Sequence, residues 1–555
     1  MSAANTLQIA PTLFERAVGV FSPKRMTSYL QNKFAARFLS DLSARGAFKA
    51  SELSRHNANW ISSDADINQV LQTELPRIRS RSRWLVRNNS YAKSAVNTFV
   101  NYCVGVGFDL QMGVYKPVMN TETGEFDIQE LDAFNDFVED VFGDWTRDVH
   151  VAASETSPDS FHEMQAMAFT RMIEDGEVFI HLVPHKTKIL QLEFVEPDAL
   201  DTMKTEGNGG NPVVLGVEMD KRNWKPVGYW VKTATPAPAG MVPFVQESKF
   251  VPASRMVHAF VRQYPRQARG LPWMHAVSED IFQLGEYKNA VALRNKIAAL
   301  FAVFFKNSNG TRVGFDNGVS DTANPGGARG FPTDANGNPI TTLAPGMIGS
   351  LAQGVEPVTV NPTAPENTYD MFTKSLLIGI GAGMQGGMSY QGLTRDTSQT
   401  TFASGRAAGQ MDMQAYRPIQ RMIGAKICTP IFKKWFDYAV AAGALLSDAG
   451  PRTDYNIRPD FWTRHAWLPG GWSWGINPVQ EVTAAVESMK AGITTLQDEC
   501  SALGLDWKMQ LRKASKVRKF AANLGMDFNA MLGQANVDKM NQMAAQDAHT
   551  QAAQP

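Results

Sequence analysis

The chain has 555 residues, and 44% of them are hydrophobic, so it can bury real cores in several domains and is not disordered as a whole. The chain has 54 Lys and Arg residues and 54 Asp and Glu residues, so its net charge is zero. It therefore has no overall positive field to attract DNA, which argues against a conventional tight DNA-binding protein. The cysteines, Cys103, Cys428 and Cys500, are far apart, which indicates a reducing compartment with neither a disulfide framework nor a thiolate zinc site.

The first residues lack the basic stretch, apolar run and small-residue cleavage site of a secretory signal. The longest apolar run, IAALFAVFF at 297–305, is shorter than the roughly 20 residues that a membrane-spanning helix needs. We therefore expect a protein that is made in the cytosol and has no membrane partner.

In chain order, residues 1–60 show scattered helical patches, typical of a partly ordered arm. Residues 68–102 have apolar side chains at spacings of three and four, which predicts a helix. Part of this helix is rich in arginine, at Arg77, Arg79, Arg81, Arg83 and Arg87. We favour a solvated or inter-subunit helix face for these arginines, and direct phosphate binding stays open as the alternative.

Two further helical stretches, 129–145 and 159–174, precede a change of period. The runs GEVFIHLVPH and LQLEFVEPDAL alternate and are rich in β-branched and aromatic residues, which predicts strands, and 205–232 has the turn spacing of a hairpin. Together, residues 70–260 predict one α+β domain, with helices first and a largely antiparallel sheet after them.

From Trp273 to about Lys306 there is no proline, which predicts a helix of about 34 residues, roughly 50 Å long. Residues 307–362 are dense in Gly, Pro, Asn and Asp, and the short runs TRVGFD, MIGSLA and VEPVTV predict a small β-rich or loop-rich module. The helical pattern resumes at 366–381.

A longer helical pattern covers 402–446, which Pro418 and Pro430 should kink rather than end. Two more helices are predicted at 478–491 and 495–521, and the tail that follows has no core-forming pattern.

The sequence contains no P-loop, no H-E-x-x-H and no G-x-S-x-G motif. His181 and His185 fall on a predicted strand and are more readily structural than metal ligands. Glu174, Asp175 and Glu177 fit a helix-to-strand turn at Gly176, and no neighbour in the sequence supports them as an acid/base pair. We therefore predict no enzyme activity, no metal and no cofactor.

One glycine pattern keeps an enzyme hypothesis in view. Gly381, Gly383 and Gly386 match G-x-G-x-x-G, but a dinucleotide site needs a strand before the pattern and a helix directly after it. Here a helix is predicted before it, and the stretch that follows is too polar and glycine-rich to begin one. A dinucleotide- or nucleotide-binding enzyme using Gly381–Gly386 is therefore the alternative hypothesis.

The order of elements favours an assembly. Long helices flank a small inserted module, and their apolar residues lie on more than one side, so one subunit alone cannot bury them. Neighbouring copies joined head to tail can, and such an interface gives a ring when it closes.

The sequence resembles the lambda-type family of bacteriophage portal proteins, the head–tail connectors. The resemblance is carried, in the family's order over roughly residues 70–520, by RSRWLVRNNSYAKSAVNTFVNYCVGVGFDLQ, EDGEVFIHL, LQLEFVEPDAL, GVEMDKRNWKPVGYWV, VPASRMVHAFVRQYPRQARGLPWM, TFASGRAAG, PIFKKWFDYAVAAGAL and AVESMKAGITTLQDECSALGLDW. Near 475–481 the family usually has Asp-Pro followed by Lys-Glu, where this chain has INPVQEV.

The resemblance implies an α+β portal fold with long stem helices, an α/β wing, a small β-rich clip and a helical crown. The implied segments are a partly ordered N-terminal arm (1–69), the wing (70–265), the first stem helix (266–306), the clip (307–364), the second stem helix (365–381), the tunnel loop (382–401), a long kinked wing helix with the segment after it (402–475), crown helices (476–530) and a disordered tail (531–555).

The resemblance also implies the function. It implies a non-enzymatic homo-oligomeric ring, a dodecamer in the virion, that forms a channel at one capsid vertex for packaging and ejecting double-stranded DNA. Its implied partners are the terminase large subunit, then the head–tail adaptor, together with the major capsid and scaffolding proteins. The implied location is the virion, after synthesis in the host bacterial cytoplasm.

Two sets of site residues follow. In the tunnel loop we expect side chains that project toward the channel: Tyr390, Thr394, Arg395, Thr397, Gln399 and Thr400. In the predicted helix KMQLRKASKVRK we expect either DNA and partner contacts or a solvated face, at Lys508, Arg512, Lys513, Lys516, Arg518 and Lys519. A net charge of zero suits a conduit, because a strongly basic wall would retard the sliding phosphates.

Overall fold

The computed structural model describes residues 65–119, 126–154, 156–232, 247–299, 303–307, 355–359, 366–445, 455, 457–471 and 478–524. The secondary structure within these ranges lies in the unit that begins at Ile67. Helices and antiparallel strands are mixed along it, as the predicted α+β class requires. Most of the predicted arm, the runs TRVGFD and MIGSLA, and the predicted tail lie outside the described residues.

The predicted helix at 68–102 is two helices, α1 (Ile67–Asn88) and α2 (Ser90–Cys103). The break is at Asn89, whose backbone is extended and whose side-chain oxygen accepts hydrogen bonds from the backbone N–H groups of Tyr91 and Ala92. Asn89 therefore caps a new helix, a role for which asparagine is well suited, and the apolar spacing alone does not reveal it.

The predicted wing continues with short strands and two helices. These are β1 (Asp109–Met112), β2 (Tyr115–Met119), β3 (Phe126–Glu130), α3 (Asp132–Trp145) and α4 (Phe161–Asp175). A reciprocal pair of hydrogen bonds between Ser160 and Glu163 caps the start of α4. The helix ends at Gly176, where φ is +88°.

The strands predicted from alternation are present and antiparallel. They are β4 (Glu177–His185), β5 (Ile189–Val195), β6 (Val213–Val214), β7 (Val217–Met219), β8 (Pro226–Lys232), β9 (Ser248–Pro252) and β10 (Met256–Phe260). One sheet has the order β10-β4-β5 and another the order β6-β7-β8-β9. The hairpin prediction for 205–232 is confirmed, since β6, β7 and β8 are paired neighbours.

The predicted first long helix is shorter than expected. It is α5 (Ser278–Ala299), and Trp273 lies in the turns before it. The end of the predicted helix is instead a strand, β11 (Val303–Asn307), which pairs antiparallel with β12 (Val355–Thr359). The run VFF at 303–305 is β-branched and aromatic, so strand pairing wins over helix continuation there.

The helix predicted at 366–381 is α6 (Glu366–Gly383). Tyr287 on α5 stacks on Tyr369 with ring centroids 5.6 Å apart, and it meets Phe372 edge-on. Ring contacts of this kind therefore hold α5 and α6 together within one chain.

After α6 come α7 (Tyr390–Thr394), α8 (Phe402–Ile423) and α9 (Thr429–Ala441). A π-helical turn, Gly424–Cys428, joins α8 to α9. Pro418 lies inside α8 without ending it, as predicted, whereas Pro430 lies in the first turn of α9, directly after the π-turn. The backbone stays helical from α8 through the π-turn into α9, so Pro430 does not end the helix either, as predicted.

The C-terminal part has α10 (Pro459–Trp462), β13 (His465–Leu468), α11 (Pro478–Lys490), α12 (Leu496–Ala502) and α13 (Trp507–Asn523). β13 returns to pair with β1. The single helix predicted over 495–521 is wrong, because Gly504 at φ +70° breaks it into α12 and α13.

One large core joins the helices to the β10-β4-β5 sheet. Its centre is aromatic: Phe142 contacts both Trp435 and Phe432 edge-on, and Trp273 packs against Phe99 and Phe169. Among the described helices, none combines the length and hydropathy needed to cross a membrane.

Candidate functional site

The segment 382–401 connects α6 to α8 and starts with a tight reversal. α6 ends at Gly383, and Gly386 and Gly387 follow at φ +94° and +66°. The backbone N–H of Met388 donates to the Gly381 carbonyl at 2.9 Å, and that of Gln385 donates to the Trp273 carbonyl at 3.1 Å. Glycine therefore ends the helix here and permits the turn.

Each glycine of the G-x-G-x-x-G match is required by packing. A Cβ on Gly381 would lie 2.6 Å from the Met388 carbonyl oxygen, and one on Gly383 would lie 2.5 Å from Val277 Cγ1. At Gly386 it would lie 2.9 Å from Ile419 Cδ1. A helix precedes the pattern, so a dinucleotide fingerprint is not formed.

The expectation that no helix begins in the glycine-rich stretch is wrong, because α7 forms a single short helix. Ser389 caps it by accepting from the Gly392 N–H at 3.0 Å. Ser389 also donates its backbone N–H and its hydroxyl to the two oxygens of Asp412, at 2.7 and 2.6 Å. The sequence alone does not reveal this clamp between α7 and α8, because its two residues lie 23 positions apart.

Further bonds hold α7 against α2. Thr98 Oγ1 donates to the Gly392 carbonyl at 3.0 Å, and Ser94 Oγ donates to the Leu393 carbonyl at 2.8 Å. Leu393 is completely buried. The first half of the segment is therefore a docked element, and only its second half is free to project.

The six predicted tunnel-loop residues divide accordingly. Arg395, Thr397 and Gln399 are exposed, and Arg395 has a left-handed backbone at φ +58°. Tyr390, Thr394 and Thr400 are half-buried. Tyr390 donates its hydroxyl to Asp396 at 3.2 Å. The segment thus presents one compact exposed tip, residues 395–399, with the cation of Arg395 at its start.

A cavity of about 470 Å³ lies beneath this tip, between α2, α7 and α8. Tyr416 lines it and is only 2% exposed, and its hydroxyl has no hydrogen-bond partner in the described structure. Burial raises the pKa of the Asp412 carboxyl, although Ser389 opposes the shift by donating to it. The tip is therefore placed over an open recess that contains the Asp412 carboxyl and the Tyr416 hydroxyl, rather than over a tightly packed core.

Two of the five arginines of α1, Arg79 and Arg83, have a different role from either predicted one. Arg79 is only 4% exposed and donates to Glu177 at 2.7 Å and to Asp198 at 3.0 Å. Arg83 pairs with Asp175 and Asp198, both at 2.5 Å. The interpretation of these two as a solvated face, or as phosphate ligands, is wrong, whereas Arg77, Arg81 and Arg87 are exposed.

Glu177 is the centre of this buried cluster. It also accepts from Arg269 Nε at 2.8 Å, from His258 Nε2 at 3.0 Å and from the Gly270 N–H at 3.0 Å. Burial alone would raise the pKa of Glu177, but Arg269, His258 and Arg79 outweigh it and hold the pKa well below its ordinary value. The partners of Glu177 therefore come from distant parts of the chain, whereas Glu174 and Asp175 also pair with Arg171 on the same helix.

The basic helix α13 is partly neutralised by α3. Lys508 pairs with Asp132 at 2.8 Å, and Arg512 pairs with Asp136. The other predicted basic residues, Lys513, Lys516, Arg518 and Lys519, are exposed along α13. Contact of this helix with DNA or a partner stays a prediction.

The two histidines considered as ligands lie on β4, as predicted. His181 Nδ1 is 2.9 Å from Glu193, and the His185 ring accepts from the Lys188 N–H at 3.1 Å. Within the described ranges, no group of three or more His, Cys, Asp or Glu residues is arranged to hold a metal.

A family model described as "Phage portal protein, lambda family" matches residues 53–420. The chain therefore belongs to the lambda family of phage portal proteins, which are structural proteins of the phage head. The resemblance seen in the sequence is confirmed, and nothing in the comparisons supports the nucleotide-binding alternative.

Three relatives show how far the similarity extends. The "Probable portal protein" of Halomonas phage phiHAP-1 is 25% identical, covering 82% of each chain. The "Portal protein" of Escherichia phage N15 is 23% identical over 84% of this chain and 88% of its own length. "Portal protein B" of Escherichia phage lambda is 22% identical over 81% and 85%.

Solved structures are more distant. A chain from the virion of a native gene transfer agent particle is 11% identical with a TM-score of 0.42, covering 78% of this chain and 93% of that one. A portal protein of the HK97 family from Corynebacterium diphtheriae is 8% identical with a TM-score of 0.30, covering 67% and 92%.

Proposed function

We propose that copies of this chain form a closed ring, a dodecamer in the virion, whose channel carries double-stranded DNA into and out of the phage head. The observation that carries the proposal is the family match over residues 53–420. The ring acts as a conduit and performs no chemical step of its own. It resides at the capsid vertex of the virion after synthesis in the host cytoplasm.

Exposed apolar side chains on the long helices support assembly. They lie on α5, α6 and α8, namely Phe282, Leu293, Met371, Phe372, Ile378, Phe402 and Met411. Large apolar residues grouped on exposed helix faces are typical of protein–protein interfaces. A head-to-tail contact between copies would bury such faces and, on closing, produce a ring.

The exposed tip at 395–399 is the part of the tunnel loop that we assign to the channel. Arg395, Thr397 and Gln399 have polar or charged ends that can meet phosphates without gripping them through a large basic surface. Tyr390, Thr394 and Thr400 would support the tip from behind, because each is half-buried in this chain.

Deleting 390–400 tests this assignment, and we expect rings to form while packaging or retention of DNA is impaired. A sharper variant replaces only 395–399 with a Gly/Ser stretch of equal length, which leaves the Ser389–Asp412 clamp in place. Lys186→Ala, at an exposed position between β4 and β5, is the matched control. Normal packaging and retention by rings that carry the replaced tip would rule out the assignment.

We further propose that the clip, 307–364, docks the terminase large subunit and later the head–tail adaptor, and that the wing and crown face the capsid and scaffolding proteins. The pairing of β11 with β12 brings the two ends of the clip together, which supports a module that can be exchanged as a unit. Replacing 308–354 with a short linker should abolish co-sedimentation of terminase with the ring. Unchanged co-sedimentation would place the docking site elsewhere.

A further inference from the structure

A second cavity, of about 730 Å³, lies where the end of α8 and the π-turn meet β13, and α12 closes one side. Arg417, Arg421 and Gly424 line it from the helix, while His465 and Ser501 line it from β13 and α12. It shares neither the exposed tip of the tunnel loop nor the basic helix α13, so the function proposed above leaves it unassigned.

The cavity is positively charged. Arg417 and Arg421 lie one helical turn apart, which corresponds to a rise of about 6 Å along α8, and both are exposed. No described Asp or Glu lines the cavity, and within the described ranges neither arginine forms an ion pair. Two guanidinium groups therefore face one recess, and no Asp or Glu of the described ranges neutralises them.

His465 adds no charge of its own. Thr429 Oγ1 accepts a hydrogen bond from Trp467 Nε1 at 2.9 Å, and the Thr429 hydroxyl donates to His465 Nε2 at 3.0 Å. The other ring nitrogen donates to the Thr463 carbonyl at 2.6 Å. Burial also lowers the pKa of His465, which favours the neutral imidazole. The charge that faces the cavity thus comes from the arginines.

The recess is built into the fold by glycine and by the helix irregularity. A Cβ at Gly424 would lie 3.3 Å from Trp467 Cδ1, so the missing side chain lets β13 approach the π-turn closely. Gly470 and Gly471 form another part of the wall. Single π-turns inside α-helices occur frequently at functional sites.

We propose that this cavity is a phosphate-binding site, in which Arg417 and Arg421 hold phosphate oxygens and the Ser501 hydroxyl can add a hydrogen bond. Guanidinium groups match phosphate geometry through paired N–H donors, and charge-assisted bonds of this kind are the strong ones. The phosphate can come from the backbone of duplex DNA or from a free phosphate compound. Binding of DNA at this site rests on the conduit function proposed above. Binding of a free phosphate compound does not, because all residues of the site belong to one chain.

The test uses the purified full chain, with Arg417→Gln/Arg421→Gln as the variant. Lys186→Gln/Arg222→Gln, at exposed wing positions, changes the net charge equally and is the control. Inorganic phosphate, compared with chloride at equal ionic strength, should raise the melting temperature of the wild type and the control but not of the variant. Arg417→Lys/Arg421→Lys keeps the charge without the paired donors, so it should show a smaller rise and provides a readout should the glutamine variant fail to fold.

A random-sequence 20-base-pair duplex forms the second arm. If the phosphate belongs to DNA, the slope of log affinity against log salt should be about 1.8 smaller in magnitude for the glutamine variant than for the wild type, because the variant has lost two phosphate contacts. Loss of the phosphate effect with an unchanged slope would assign the site to a free phosphate compound. If the glutamine variant matches the control in both arms, or the lysine variant responds to phosphate like the wild type, the proposal is wrong.

Discussion

Glu177 shows how single residues hold the predicted wing together. Its carboxylate is completely buried and is surrounded by two arginines, a histidine and a backbone N–H. A buried ion pair adds little over an apolar replacement, but removing one partner leaves the other charges buried without compensation.

We therefore expect Glu177→Gln to lower the free energy of unfolding by about 3–5 kcal/mol, because Arg79 and Arg269 lose their buried anion. Urea denaturation of the full chain measures the change. Glu193→Gln, whose side chain is 51% exposed beside His181, is the control and should change stability far less. Equal effects of the two substitutions would show that the cluster does not stabilise the wing.

Glu139 gives a pH-dependent prediction. Burial raises its pKa to about 7, while the Met112 N–H, which donates to it at 2.7 Å, opposes the shift. The native state then binds the proton more tightly than the unfolded state, so this group lowers stability as pH rises from about 4.5 toward 7. We expect Glu139→Gln to keep the hydrogen bond and to gain stability relative to the wild type between pH 5 and pH 8.

Thermal melts of the wild type and of Glu139→Gln at pH 5 and pH 8 test this prediction. The measured quantity is the change with pH in the stability difference between the two proteins, from which the contributions of the other titrating groups cancel. A stability difference that does not change with pH would contradict the raised pKa.

At the residue scale, the sequence indicates which residues form turns but not which charges meet. Glu177 and Gly176 are recognisable as a helix-to-strand turn. The partners of Glu177 lie 98, 92 and 81 positions away, and only the folded chain brings them together. The Arg417–Arg421 pair is missed for the same reason, because its recess is completed by β13 and α12.

At the element scale, the junction of α4 and β4 depends on Gly176. Its φ is +88°, and a Cβ there would lie 2.2 Å from the Leu271 carbonyl carbon. Backbone atoms cannot move aside as the end of a flexible side chain can, so this junction tolerates no other residue without a shift of the 271–272 segment.

Gly176→Ala should therefore destabilise the chain by at least about 1–3 kcal/mol, since it combines backbone strain with a clash. Gly113→Ala is the matched control, because a Cβ there meets nothing within 4 Å. Chemical denaturation compares the two, and a Gly176 variant as stable as the Gly113 variant would refute the argument.

The elements themselves follow the sequence where periodicity is long and uninterrupted. α3, α4 and α6 and the strands of the wing lie close to their predicted positions. The errors fall where one local feature overrides the pattern: a capping side chain at Asn89, β pairing at Val303–Asn307 and a left-handed glycine at Gly504. α7 was missed because its stability comes from Ser389, Asp412 and α2 rather than from its own composition.

At the scale of the whole molecule, the exposed apolar faces of α5, α6 and α8 and the balanced charge both fit assembly into a ring-shaped conduit. Neighbouring copies would cover the faces, and the balanced charge would leave DNA free to slide. The family could be predicted from the order of weak motifs, none of which is specific alone. The segment boundaries of clip, stem and crown stay predictions.

Imaging the purified full-length protein by electron microscopy, down the particle axis, tests the central claim most directly. We predict closed rings with a central opening, in which the 395–399 tips lie nearest the axis. Replacing 395–399 should therefore widen the opening. Rings whose opening is unchanged by replacing 395–399 would contradict the channel assignment. A protein that stays strictly monomeric at micromolar concentration, with neither rings nor open multimers, would contradict the account as a whole.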